Sequence, residues 1–276
     1  TTSISDFIAS RYGKSQTIAA IVTVVAVIAI IPYIALQLKA ITMSIGVFDA
    51  QQHYLSDRSI NSLFITILLI VFSILFGTRN LDVTEHQYGM MNAIAFESIV
   101  KLVAFCAAGL FALYLVFDSP SDMVSAMLND GELRQSWFDA TNTENFITQT
   151  ILAAAVIFCL PRQFHVSVVE YHQEKDLRWS RWIFPSYLLL ISLFVIPIVI
   201  AGNQYFSNQA INADTYILAL PIFEEQRFLS ALVFIGGLSA ATGMVIVATV
   251  ALSTMISNDL VLPVILHNTG SKQFKD

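Results

Sequence analysis

Charged and coordinating side chains are sparse in this chain, and those inside apolar stretches have the most chemistry to offer. The stretch FESIVK holds Glu97 and Lys101, an i,i+4 pair with the acid on the N-terminal side, the favourable order on one helix face. Ionisable groups in lipid are costly, so each is a functional-site candidate. Two readings of the pair stand: an intramembrane ion pair that neutralises itself, and a link in a proton or ion pathway. A second concentration is CLPRQFHVSVVE, Cys159–Glu170, where a short apolar run passes directly into Pro161, Arg162, Gln163 and His165. Irregular backbone at membrane depth survives only where protein or a water-filled cavity satisfies its polar groups, and helices broken in this way line solute sites. The plainer alternative is a helix that leaves the membrane at Pro161 into a basic loop. A third concentration is GGLSAATG, Gly236–Gly243, followed by Thr249, Ser253 and Thr254. Small residues let helices approach closely in lipid, while the hydroxyls of Ser239, Thr242 and Ser253, near one side, can ligate a hard cation such as Na⁺. In IPYIALQLKA, Gln37 lies deep enough to line a cavity, and Lys39 is placed to snorkel toward an interface.

Motifs for covalent chemistry are missing. The sequence has no Walker A loop, no nucleophile elbow and no His-plus-carboxylate cluster with metal-binding spacing. Cys106 and Cys159 both fall in apolar runs, so neither a disulfide framework nor a Cys-based metal site is suggested. The segment therefore reads as non-enzymatic, with no cofactor beyond a coupling ion, Na⁺ or H⁺. A net charge of -6 without a basic stripe argues against nucleic acid as a partner.

The elements that position these residues follow from composition. Apolar residues make up 56% of the 276 positions and charged ones only 12%, too few to coat a soluble domain of this size. Lipid must be part of the solvent. A bilayer core about 30 Å thick needs roughly 20 apolar residues of helix, and six stretches approach that length: Ile18–Phe48, Ile60–Gly77, Met91–Phe117, Phe146–Leu160, Ile183–Phe206 and Phe228–Leu252. The fourth is too short to cross unless its polar continuation crosses with it. The fold class expected is all-α, a polytopic membrane protein with six transmembrane helices. Lys and Arg set orientation. Arg11, Lys14, Arg79, Arg162, Lys175, Arg178, Arg181, Lys272 and Lys275 fall on one side, against Arg58, Arg134 and Arg227 on the other, which predicts both ends in the cytoplasm. The acidic connection Asp118–Asn145 then lies outside, with a surface helix presenting Met123, Met127, Leu133 and Trp137. The chain opens on Thr1 rather than Met and stops soon after Gly270, so residues 1–276 are expected to be one interior piece of something longer.

Several stretches together resemble the solute:sodium symporter family, whose core is a LeuT-like fold of two inverted five-helix repeats. SISDFIASRYG, Ser3–Gly13, is similar to the amphipathic stretch before the third core helix of that family, and Ile31–Ala40 resembles the end of that helix. Gly77 followed by TEHQ, Thr84–Gln87, resembles the opening of the fifth core helix, with Glu85 in its acidic position. LPRQFH falls where the broken sixth core helix gives way to its inner part, and Leu238–Leu260 resembles the eighth. FESIVKLVAF, LPRQFHVSVVE and STMISNDL are closer still to the symporter-like membrane domain of CbrA-type sensor histidine kinases.

The resemblance covers nearly the whole chain and maps it to core helices three to eight. It implies alternating access driven by an ion gradient, and a small polar solute, such as an amino acid, held near the bilayer midplane. The bacterial inner membrane would be the location, and a downstream kinase module in the same chain a partner; a plain symporter with no kinase is the alternative. The residues implied on the solute side are Gln37, Pro161, Arg162, Gln163 and His165. Ser239 and Thr242 are implied for the cation, and Glu85 as an acid of the inner vestibule. Aligned from the N-terminal side, the hydroxyl pair of the family falls near Ser239–Ala241; aligned back from Asp259 it falls near Gly243–Met244. Sodium and proton coupling both stay open.

Overall fold

The computed structural model describes residues 3–52, 63–64, 66–68, 71, 88–117, 119–129, 143–170, 174–207, 209 and 211–268. Among them every regular element is helical. A short helix α1 (Ile4–Arg11) is capped by Ser3, whose Oγ accepts the Asp6 amide hydrogen at 3.1 Å. It turns through Gly13 and Lys14, both left-handed, into α2 (Gln16–Gln52), which carries Pro32 in its interior. Then come α3 (Tyr88–Val116), the short α4 (Pro120–Asn129), α5 (Thr143–Cys159) and α6 (Pro161–Phe164), the last continuing as a π-helical turn over His165–Val169. Helix α7 (Glu174–Tyr205) leads through a 3₁₀ turn, Ala213–Thr215, to α8 (Tyr216–Phe223). Helix α9 (Arg227–Ile256) passes through a second π turn, Ser257–Val261, into α10 (Leu262–Asn268).

Among the described residues four helices are long and apolar enough to cross a membrane: Gln16–Val47, Met91–Val116, Leu177–Tyr205 and Arg227–Ile265. The pair Glu144–Cys159 and Pro161–Val169, bent by 55°, makes a fifth if it crosses as one broken span. These helices turn much of their apolar surface outward, with Phe158 at 74% and Trp182 at 70% exposure. Water would penalise so much exposed apolar area, whereas hydrocarbon does not. The protein is a multi-pass helical membrane protein in a lipid bilayer.

Helix directions follow from contacts. Thr23 and Asp259 meet, and Ile41 clusters with Ala241, so α2 and α9 run antiparallel. A Cβ on Gly236 would meet Ala104 and one on Gly243 would meet Glu97, so α3 is antiparallel to α9 as well. The Tyr187 hydroxyl donates to the Ser98 carbonyl at 3.3 Å and Leu113 clusters with Ile200, so α3 and α7 are parallel. The chain must therefore return across the bundle between α3 and α7. Helices α5 and α6 lie on that return, and Phe164 packs with Ala26, Leu252 and Met255 at the end where α2 begins. The short fourth stretch and its polar continuation lie together on that path, as one broken span or as a re-entrant pair. At the opposite end α8 plugs the bundle, its Leu218, Ala219 and Leu220 packing with Ala112, Ala201 and Val233.

The expected span Ile60–Gly77 lies mostly outside the described residues, where only positions 63–64, 66–68 and 71 are described, all helical. The surface helix after Phe117 is present as α4, and Met123 packs on Leu113, Phe117 and Ile200; Leu133 and Trp137 fall outside the described residues.

Candidate functional site: the broken helix and its neighbours

Proline makes the break. Pro161 has no N–H and disfavours helical backbone in the residue before it, and Leu160 is extended at φ -73°, ψ 124°. Helix α5 ends there and α6 starts anew with Pro161 in its first turn. A new helix start leaves its first amide donors, here those of Arg162 and Gln163, without intrahelical partners. The π turn widens the next stretch, with the Glu170 amide donating to the His165 carbonyl at 3.0 Å. Helix α5 is exposed along its described side chains, and the rest of the fold holds the pair through α6.

Arg162 Nη1 donates to the Tyr33 hydroxyl at 3.0 Å, and its guanidinium carbon stands 5.6 Å from the centre of the same ring. Tyr33 is one helical turn before Gln37 on α2, so Arg162 and Gln37 address the same face of α2. Gln37 and Gln163 are partly buried. His165 is buried at 8% exposure, and its Nε2 lacks a hydrogen-bond partner. The nearest acceptor recorded for it is Glu170 Oε1 at 3.5 Å, an ion-pair contact if the imidazole is protonated.

On α3, Lys101 Nζ lies 2.9 Å from Glu97 Oε1, with Glu97 13% and Lys101 22% exposed. The carboxylate sits directly against Gly243, where any Cβ would collide with it. Glycine at this position lets α9 approach a charged side chain on α3. The fold therefore brings α2, α3, α6 and α9 together around Tyr33, Glu97, Lys101 and Arg162.

Ser239 and Thr242 lie partly buried on α9. The Thr242 hydroxyl donates to the Leu238 carbonyl of its own helix at 2.8 Å, as Ser253 does to Val250 at 2.9 Å. Their lone pairs stay available to a cation. Glu85 lies outside the described residues. Among the described residues no three His, Cys, Asp or Glu side chains converge as metal ligands would.

Two features escaped the sequence reading. Tyr33 precedes Gln37 by four residues, a spacing that marks it as a neighbour on the same helix face. The other is a knot around Asp259, whose Oδ2 accepts from Thr23 Oγ1 at 2.7 Å and from Ser5 Oγ, with Ser3 Oγ 2.8 Å from Ser5 Oγ. Its partners lie more than 200 residues away from it in the chain, beyond the reach of any local pattern.

No family model, curated protein or solved structure matches the chain.

Proposed function

We propose that the chain is the membrane domain of a secondary transporter-like protein of the solute:sodium symporter type. It binds a small polar solute, such as an amino acid, where α2, α6 and α9 approach one another, and couples binding to Na⁺ or H⁺ by alternating access. The observation that carries this reading is the break at Leu160–Pro161, a proline-interrupted helix with a cationic Arg162 and, just beyond it, a buried imidazole whose Nε2 has no hydrogen-bond partner. A break of this kind in lipid needs polar partners, and a bound solute is the partner the reading supplies.

On this reading the chain crosses six times in a LeuT-like arrangement. Both ends lie on the cytoplasmic face of a bacterial inner membrane. That Ser5 meets Asp259 supports two ends on one side. The proposal extends to the sensory arrangement of the subgroup that the sequence resembles. Solute occupancy would then bias a downstream kinase by binding its on and off states with different free energies.

The test uses the full-length parent in proteoliposomes and a panel of radiolabelled polar amino acids. At least one is expected to bind saturably, and Gln163→Ala is expected to weaken that binding by about 1–3 kcal/mol, the cost of an unpaired buried polar partner, with expression intact. Unchanged affinity would reduce LPRQFH to a connecting loop.

A further inference from the structure

A cavity of about 540 Å³ opens between α2 and the segment 209–223, within the size range of sites for small ligands. Its position separates it from the broken helix: Met43, in its wall, is roughly 15 Å along α2 from Tyr33. The charged group facing it, among the described residues, is a cation. Lys39 Nζ offers donors only, and among the described residues no Asp or Glu lines the cavity. Among the described residues Lys39 makes no ion pair. Asn212 Oδ1 already accepts the Asp214 amide hydrogen at 3.0 Å, which leaves the Asn212 NH₂ group to serve a ligand, and Gln209 adds a second amide. The hydroxyl hydrogens of Thr42 and Thr215 are committed to the carbonyls of Leu38 and Asn212. The remaining wall is apolar, from Met43, Val47 and Phe223.

We propose that this cavity is a second ligand site, one that takes a single anionic group, carboxylate or phosphate, carried on an apolar body. Lys39 supplies the counter-charge, the Asn212 and Gln209 amides donate to the remaining oxygens, and the apolar wall covers the body. A cationic ligand would meet Lys39 with no acid to offset it. Two sources share the required chemistry, a soluble monocarboxylate and the headgroup region of an anionic lipid.

The test takes the chain in phosphatidylcholine nanodiscs and measures binding of hexanoate by equilibrium dialysis, with hexylamine as the cationic counterpart. A second arm adds phosphatidylglycerol to the nanodiscs and counts retained lipid by native mass spectrometry. Lys39→Met is expected to lower hexanoate affinity or phosphatidylglycerol retention by roughly tenfold, the scale of a lost charge-assisted hydrogen bond, and Lys39→Arg to keep most of it. Gly46→Phe gives an independent check. A Cβ at Gly46 meets nothing within 4 Å, so the ring can enter the cavity without disturbing α2. It should abolish binding while the thermal unfolding midpoint holds. Hexanoate dependence on Lys39 and Gly46 assigns the soluble source, and phosphatidylglycerol dependence assigns the lipid. If neither probe responds to both substitutions, or if hexylamine binds as well as hexanoate, the proposal fails.

Discussion

Two polar clusters share one apolar shell at the end of the bundle where α2 begins, and they are built on opposite terms. Ile4, Ala26, Ile30, Phe164, Leu252 and Met255 pack around both. In the first, Ser5 and Thr23, fully buried at 0% exposure, both donate to the Asp259 carboxylate, and Ser3 joins through Ser5. Each buried hydroxyl there has a partner, and the cluster ties α1 and α2 to the widened π turn after α9. In the second, His165 is buried too, but its Nε2 has no hydrogen-bond partner and stands 3.5 Å from Glu170 Oε1, while among the described residues Arg162 holds the Tyr33 hydroxyl and ring. A satisfied polar cluster stabilises one arrangement of helices, whereas an unsatisfied one raises the energy of the empty state and favours whatever completes it. By that criterion the Asp259 knot is architecture, and the α5–α6 break is where a ligand gains most.

Removing the knot is expected to have the largest effect on stability. Asp259→Ala leaves two fully buried hydroxyls without their acceptor, at about 1–3 kcal/mol each. A loss of roughly 3 kcal/mol or more should appear in equilibrium unfolding of the detergent-solubilised protein, with Asp259→Asn recovering part of it. A silent Asp259→Ala would erase the contrast between the two clusters.

The opposite behaviour is expected of His165→Leu. An apolar side chain of similar volume removes an unpartnered buried nitrogen, so stability should hold or rise by about 1 kcal/mol. Solute affinity in the parent should fall roughly tenfold, the exchange of stability for function expected where a site keeps a polar group for its ligand. Destabilisation on the scale of Asp259→Ala would place His165 among the structural groups instead.

The helical, membrane-embedded character was legible because it rests on local pattern. Long apolar runs with few charges have one stable solution in lipid, and α2, α3, α7 and α9 follow the expected spans to within a few residues, except at α2 and α7, whose helices continue past the apolar runs into polar flanks. The shortness of Phe146–Leu160 and the proline after it announced the break, since Pro161 acts on its immediate neighbours. Pairings across the bundle were not legible in the same way. Nothing near Asp259 in sequence points to Ser5 or Thr23, and the need for glycine at Gly243 is set by Glu97 on another helix. The Glu97–Lys101 pair was legible as a pair because both partners sit on one helix.

A smaller effect is expected from Tyr33→Phe, which tests how firmly Arg162 is held. The substitution removes the acceptor 3.0 Å from Nη1 but keeps the ring over which the guanidinium lies, so the cost should be about 1 kcal/mol. A double-mutant cycle with Arg162→Lys, read as unfolding free energy, should return a coupling of similar size. Zero coupling would mean that Arg162 is as free in the empty protein as His165 Nε2 is unpaired.

The smallest effect is expected from Thr242→Val, and it discriminates between coupling ions. The Thr242 hydroxyl donates to Leu238 within α9, a bond that contributes little to a helix whose backbone is already paired. Stability should change by less than about 0.5 kcal/mol, so any functional loss would report on ligation alone. The side chains of Ser239 and Thr242 offer two hydroxyl oxygens, few for a hard cation that takes several oxygen ligands. Replacing Na⁺ by choline should then alter solute affinity only weakly, and Thr242→Val should leave that small difference unchanged. A strong Na⁺ dependence abolished by both Ser239→Ala and Thr242→Val would instead assign these hydroxyls to the ion and exclude H⁺ as the coupling species. It would also make this stretch of α9 a third kind of polar cluster, satisfied within its own helix when empty and turned to a cation when occupied.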